Sequence, residues 1–130
     1  MSDFETTWEL LVSTLKANAG TLGVEEFSIE EGKNEEPTIA PFVWVYCIPA
    51  VKQTSEAGAK LRRLKVSVFC GASDSSMPNA LKAAVALAEK VEAVLLGIHG
   101  FQSLDIAFDD MYSDKTVVEL TGFIGYVKSI

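Results

Sequence analysis

Phe42-Val43-Trp44-Val45-Tyr46-Cys47-Ile48 and Leu61-Arg62-Arg63-Leu64-Lys65-Val66-Ser67-Val68-Phe69-Cys70 are two apolar segments separated by the polar stretch 49–60. β-Branched and aromatic residues dominate both, which predicts two strands joined as a hairpin with an unusually long tip. The first segment is apolar on both faces, as in a strand covered on two sides or buried at an interface. The second alternates, with Leu64, Val66, Val68 and Cys70 on one face and Arg63, Lys65, Ser67 and Phe69 on the other. A hairpin of this shape can form the centre of a sheet and also carry its tip out to a partner.

The flanking chain supplies what such a sheet must pack against. Phe4, Trp8, Leu11, Val12, Leu15 and Ala19 recur at helical spacing and predict a first helix over 4–19, stopped by Gly20. Val24, Phe27 and Ile29 suggest a short edge strand, and 30–40 reads as an exposed acidic loop punctuated by Gly32, Asn34 and Pro37. After the small polar turn 71–76, Pro78 suits a first helical turn. The alanine-rich stripe of Leu81, Ala84, Val85, Ala88, Val91 and Leu95 then predicts a second helix over 77–96, ended by Gly97. Leu104, Ile106 and Phe108 alternate with Ser103, Asp105, Ala107 and Asp109, and a long final strand runs over 117–127. These two strands should pair, with Gly122 and Gly125 marking a bulge or a close backbone approach. The order implies one α+β domain over 1–130: an antiparallel or mixed β-sheet of about four to five strands with two amphipathic helices packed on one face.

Composition narrows the function classes. The chain has 130 residues, enough for one core without staples, and a formal net charge of −7. Met1-Ser2-Asp3-Phe4-Glu5 is acidic with no apolar run behind it, so no secretory signal is expected. The longest apolar region, 80–98, carries Lys82, Glu89, Lys90 and Glu92 and is too charged to span a bilayer. A soluble protein that stays where it is made, with no membrane partner, is the expectation. Glu25, Glu26, Glu30, Glu31, Glu35 and Glu36 crowd one region, and a surface this acidic does not bind phosphate backbones by charge neutralisation.

The residues that could carry chemistry form no constellation. Cys47 and Cys70 lie in expected strands without a CxxC spacing, and with a lone histidine they build no zinc site; two buried free thiols are expected. His99 sits in a turn just past a helix with no nucleophile motif near it. Asp105, Asp109, Asp110 and Asp114 are the only carboxylate cluster on ordered structure, and the segment lacks the alternating acids and central glycine of an EF-hand loop. The glycines at 97 and 100 follow a helix and lead into a strand, the wrong order for a nucleotide-binding loop. The reading is therefore of a non-enzymatic protein with no catalytic, cofactor-binding or metal site. A small enzyme using the aspartates at 105–114 is an alternative.

Charge suggests assembly. Lys60, Arg62, Arg63 and Lys65 cluster where the projecting loop rejoins the sheet, opposite in sign to Glu30, Glu31, Glu35 and Glu36. A molecule carrying both patches can pair head to tail with copies of itself, and such heterologous contacts close into rings when the rotation allows. The expected contact residues are Val51, Lys52 and Gln53 in the loop 51–60, the basic residues Lys60, Arg62 and Arg63, and the four glutamates. A non-catalytic adaptor that uses the hairpin for strand addition is the other alternative.

The architecture resembles the small tail-terminator and tail-completion proteins of long-tailed bacteriophages and prophages. The likeness rests on the amphipathic helix at 4–19, the proline-led strand Pro41-Phe42-Val43-Trp44-Val45-Tyr46 and the strand Leu64-Lys65-Val66-Ser67-Val68-Phe69 after a variable loop. It continues in a long helix ending Val94-Leu95-Leu96-Gly97 and in the closing strand at 117–127. The acidic insertion 30–37 has no counterpart in the pattern. The resemblance implies a structural virion protein, made in the bacterial host cytoplasm and placed in the virion tail. It would form a homo-oligomeric ring, commonly a hexamer, that caps the tail tube and joins it to the head–tail connector protein. DNA would only pass through the lumen without specific binding, which suits an acidic chain.

Overall fold

The computed structural model describes residues 3–32, 40–49, 60–112 and 115–128. In chain order the elements are α1 (Asp3–Ala17), α2 (Ala19–Leu22), a 3-10 turn (Glu26–Ser28), β1 (Ile29–Glu31), β2 (Phe42–Pro49), β3 (Lys60–Ser73), α3 (Met77–Leu95), β4 (Phe101–Tyr112) and β5 (Lys115–Lys128). The strands form one mixed five-stranded sheet in the order β1-β2-β3-β5-β4, and the fold is α+β. Only β1–β2 is parallel; β2–β3, β3–β5 and β4–β5 are antiparallel.

The long-tipped hairpin exists. β2 and β3 pair from Phe42↔Gly71 to Pro49↔Leu64. Val43, Val45, Cys47, Leu64, Val66, Val68 and Cys70 share one buried cluster with Leu11, Val12 and Leu15 of α1 and Ala84, Leu87, Ala88, Val91 and Leu95 of α3. Each fully buried Val or Leu contributes about 1.5–3 kcal/mol, so this cluster dominates folding. Intervening positions Phe42, Trp44, Phe69 and Val117 form a second cluster, in which Phe42 and Trp44 stack with centroids 4.2 Å apart. A side chain at Gly71 would meet the Phe42 ring at 2.1 Å, so that ring uses the space a Cβ would fill.

Local differences from the sequence expectation have local causes. The first helix stops at Ala17, not Ala19: Asn18 turns the chain, with its N–H on the Leu15 carbonyl and its side-chain amide donating to the Thr14 carbonyl. Gly20 lies inside the short helix α2, and Gly23 (φ 76°) supplies the left-handed cap, its N–H donating to the Ala19 carbonyl. Glu30 and Glu31 are not loop residues, because β1 pairs them with Trp44 and Val45. In α3 the buried stripe includes Ala80 and Leu87, while Leu81 and Val85 are only half-buried. Glu92, the charge within that stripe, accepts a hydrogen bond from the Ser103 hydroxyl.

The expected alternation of β4 fails. Register shifts between Ser103 and Asp105 and between Phe108 and Asp110 insert an extra residue twice, Leu104 sits at the first of them, and both Leu104 and Phe108 are exposed. Gly122 marks both a bulge and a close approach: it pairs with Ser103 at the first register shift of β4, and an added Cβ would sit 2.6 Å from the Gln102 carbonyl oxygen.

Candidate functional site

The register of β3 and β5 builds an arm. Both strands are 14 residues long. Among the described residues β2 pairs along β3 as far as Leu64, and β4 along β5 as far as Ile124. Past those pairs the two strands continue together through Arg63↔Gly125, Arg62↔Tyr126, Leu61↔Val127 and Lys60↔Lys128. Four residue pairs extend this ribbon by roughly 13 Å. Its base is fixed at Gly100 (φ 89°), whose carbonyl accepts the Gly125 N–H.

The arm concentrates charge. Lys60, Arg62, Arg63 and Lys128 are four cations on paired positions that hold no carboxylate, in a chain whose net charge is −7. Arg63 is exposed, with its guanidinium 4.5 Å from the centroid of the Phe123 ring. Such a cation–π contact holds the side chain in place while leaving its donors to solvent or a partner. Lys65 follows, exposed and in register with Ile48, which with Tyr46 is an exposed apolar residue of β2.

Of the expected contact residues, Lys60, Arg62 and Arg63 are brought together on this arm. Glu30 and Glu31 lie in β1, separated from β3 by β2, with Glu31 exposed and Glu30 half-buried. Val51, Lys52, Gln53, Glu35 and Glu36 lie outside the described residues. Lys128 belongs to the set and was not singled out from sequence. Its signal was the length of the final apolar strand, which carries pairing past β4.

The outer edge of β4 is the second distinctive surface. Leu104 is 65% exposed, Phe108 56% and Met111 48%. Asp105 and Asp110 are exposed on the same strand, on the opposite face from Phe108 and Met111, and β4 contains no Lys or Arg. The Ile106 N–H donates to Asp105 Oδ1 at 2.9 Å and the Met111 N–H to Asp110 Oδ1 at 2.7 Å. Two bulges and two aspartates that occupy backbone donors blunt this edge against strand addition.

Other reactive groups stand apart. Cys47 and Cys70 are free and buried, and the register sets Cys47 against Val66 and Cys70 against Val43, so the two do not face each other. Burial, reinforced by Glu31, pushes the Cys47 thiol up to about 12; burial also raises Cys70. His99 is exposed in the turn between α3 and β4. Among the described residues no group of three or more His, Cys, Asp or Glu could hold a metal ion. No described helix is long and apolar enough to cross a membrane. A groove of about 370 Å³ runs beside Leu22, Ala72, Ala83 and Leu87, with Lys90 as the one ionisable group among its described lining residues.

Compared with known proteins, the chain matches no family model, and no curated protein is significantly similar to it.

Proposed function

We propose that this chain is a structural, ring-forming protein of the tail-terminator type, which caps a phage tail tube and presents a surface to the head connector. The observation that carries the reading is the two-stranded basic arm. Among the described residues it runs on past the pairing of both neighbouring strands, carries Lys60, Arg62, Arg63 and Lys128 at its register positions, and exposes Arg63. Like charges at facing positions weaken a strand pair. A contact partner of opposite sign accounts for them better than the fold itself does.

The element order supports the same assignment. An amphipathic helix, a proline-led strand, a long connection, a second strand, a long helix and a closing hairpin follow one another as in the family the sequence resembles. In this role the acidic remainder of the chain leaves passing DNA unbound, since all 18 acids lie outside the arm and outnumber the cations there. The function requires no bond-making chemistry, only contacts between copies and with the tube and connector proteins.

Light scattering and negative-stain electron microscopy of the purified chain, alone and with polymerised tail tubes, provide the test. Closed rings of uniform size, or caps at tube ends, are expected. A strict monomer at high concentration that also fails to join tubes overturns the proposal.

A further inference from the structure

We infer that the outer edge of β4 is the seat for the basic arm of a second copy of this chain. This inference rests on the ring reading above and names the seam that would hold the ring together.

Three observations carry it. First, charge is complementary. The arm has Lys60, Arg62, Arg63 and Lys128 and no acid, while β4 has Asp105 and Asp110 exposed and no base. Each of these aspartates uses Oδ1 on the next backbone N–H. Its second oxygen keeps the lone pairs that an arginine or lysine needs.

Second, the edge is apolar as well as acidic. Leu104, Phe108 and Met111 are three of the chain's exposed large apolar side chains and all belong to one strand. The two bulges interrupt the ladder at this edge, so its exposed side chains are ready to be covered by a side-chain contact, not by a continued ladder. The register sets Asp105 and Asp110 on one face of β4, with Val117, and Phe108 and Met111 on the other, with Val118, so a basic ribbon laid along this edge meets carboxylates on one side and apolar surface on the other.

Third, the two surfaces cannot meet within one chain. The arm occupies 125–128 of β5, whereas Asp105, Ile106 and Phe108 pair with Thr121, Leu120 and Val118, and Met111 pairs with Thr116. Their centres are separated by roughly 25 Å along the strand. A ribbon that continues the strands away from its own β4 patch meets that patch on another molecule. Two different surfaces in mutual contact make a heterologous interface, the kind that propagates from copy to copy and closes into a ring.

The test is a charge exchange read by sedimentation velocity at low salt, with circular dichroism confirming that each variant is folded. Asp105→Lys with Asp110→Lys is expected to weaken self-association at least tenfold. Lys60→Glu with Lys128→Glu is expected to do the same. All four changes in one chain should restore assembly to within a few-fold of the original. If the original chain assembles and the edge variant assembles equally well, the seam is wrong while the ring reading stands. A folded four-fold variant that stays dissociated also overturns the seam. If the original chain is a strict monomer, the seam falls, and the ring reading falls with it when the chain also fails to cap tail tubes. Should the lysine substitutions unfold the chain, Phe108→Ser at its exposed position reads out the same contact, and undiminished assembly there counts against the inference.

Discussion

Lys60 stands directly across from Lys128 at the end of the two-stranded arm. Facing like charges cost a strand pair about 0.2–1 kcal/mol, so these two lysines work against the stability of the ribbon they close. Lys128→Glu should therefore stabilise the isolated chain by about that amount, measured by urea denaturation at low salt. The same change should weaken self-association and flatten its salt dependence, because surface charge contacts are screened over about 8–10 Å at ordinary ionic strength. Opposite signs on the two measurements separate an assembly role from a folding role. If stability and association fall together, the lysine serves the fold.

Trp8 ties α1 to the sheet at one carbonyl. Its indole Nε1 donates to the Val45 oxygen at 3.0 Å, and the Gly32 N–H donates to the same oxygen at 2.7 Å. The ring also meets Phe4 and Tyr46 edge-on, with centroids 5.7 and 6.0 Å away. Trp8→Phe keeps the ring contacts and leaves the carbonyl one donor, so a loss of only about 0.5–1.5 kcal/mol is expected. Trp8→Ala removes the ring as well and should cost about 3 kcal/mol. Equal losses in the two variants, by chemical denaturation, would show that the hydrogen bond and not the ring fastens the helix.

The central hairpin and the long helices were legible because their signals are local. A run such as Val43-Trp44-Val45 announces a strand, and the alanines from Ala80 to Ala93 announce a helix. β1 was not legible as a strand over Ile29–Glu31, since its three residues are mostly glutamate and are ordered by pairing with Val43–Val45. Gly122 flagged the first irregularity of β4, which lies opposite it, but the second, between Phe108 and Asp110, had no glycine to mark it. There the Asp110 side chain bonds the next N–H, a local contact that leaves the hydrophobic period unchanged. Of the site, Arg62 and Arg63 stood out as a charge cluster. Their pairing with Tyr126 and Gly125 depends on a register set by contacts far apart in sequence, so the arm was invisible until the strands were aligned.

Gly122 tests how tightly that register is held. Its missing side chain leaves room for the Gln102 carbonyl oxygen, 2.6 Å from where a Cβ would be, and for the Phe101 ring at 2.7 Å. The carbonyl belongs to a paired strand and cannot rotate away as a side-chain tip can. Gly122→Ala should destabilise the chain by about 1–3 kcal/mol, as overpacking of a tight site does. Gly20→Ala, where nothing lies within 4 Å, is the control and should leave the melting temperature unchanged or raise it slightly. Two equal melting temperatures would mean that β4 and β5 can slide apart at Gly122 without cost.

The buried thiols set the alkaline limit of stability. In the unfolded chain each titrates near its ordinary value of 9.0, whereas in the fold burial raises both, Cys47 to about 12. Between those values the unfolded state loses protons that the folded state keeps. Unfolding is then favoured as pH rises, and the stability these thiols contribute at neutral pH is lost progressively above 9. Each thiol adds a slope of about 1.4 kcal/mol per pH unit, so the pair should steepen the alkaline loss by roughly twice that. Cys47→Ala with Cys70→Ala removes this component, and urea denaturation from pH 8 to 11 should show a shallower decline for that variant despite its lower starting stability. In the native chain at pH 8 a thiol reagent should modify neither cysteine until the protein is unfolded. Fast labelling of the folded protein, or parallel pH profiles for the two chains, would contradict the burial that raises both thiols.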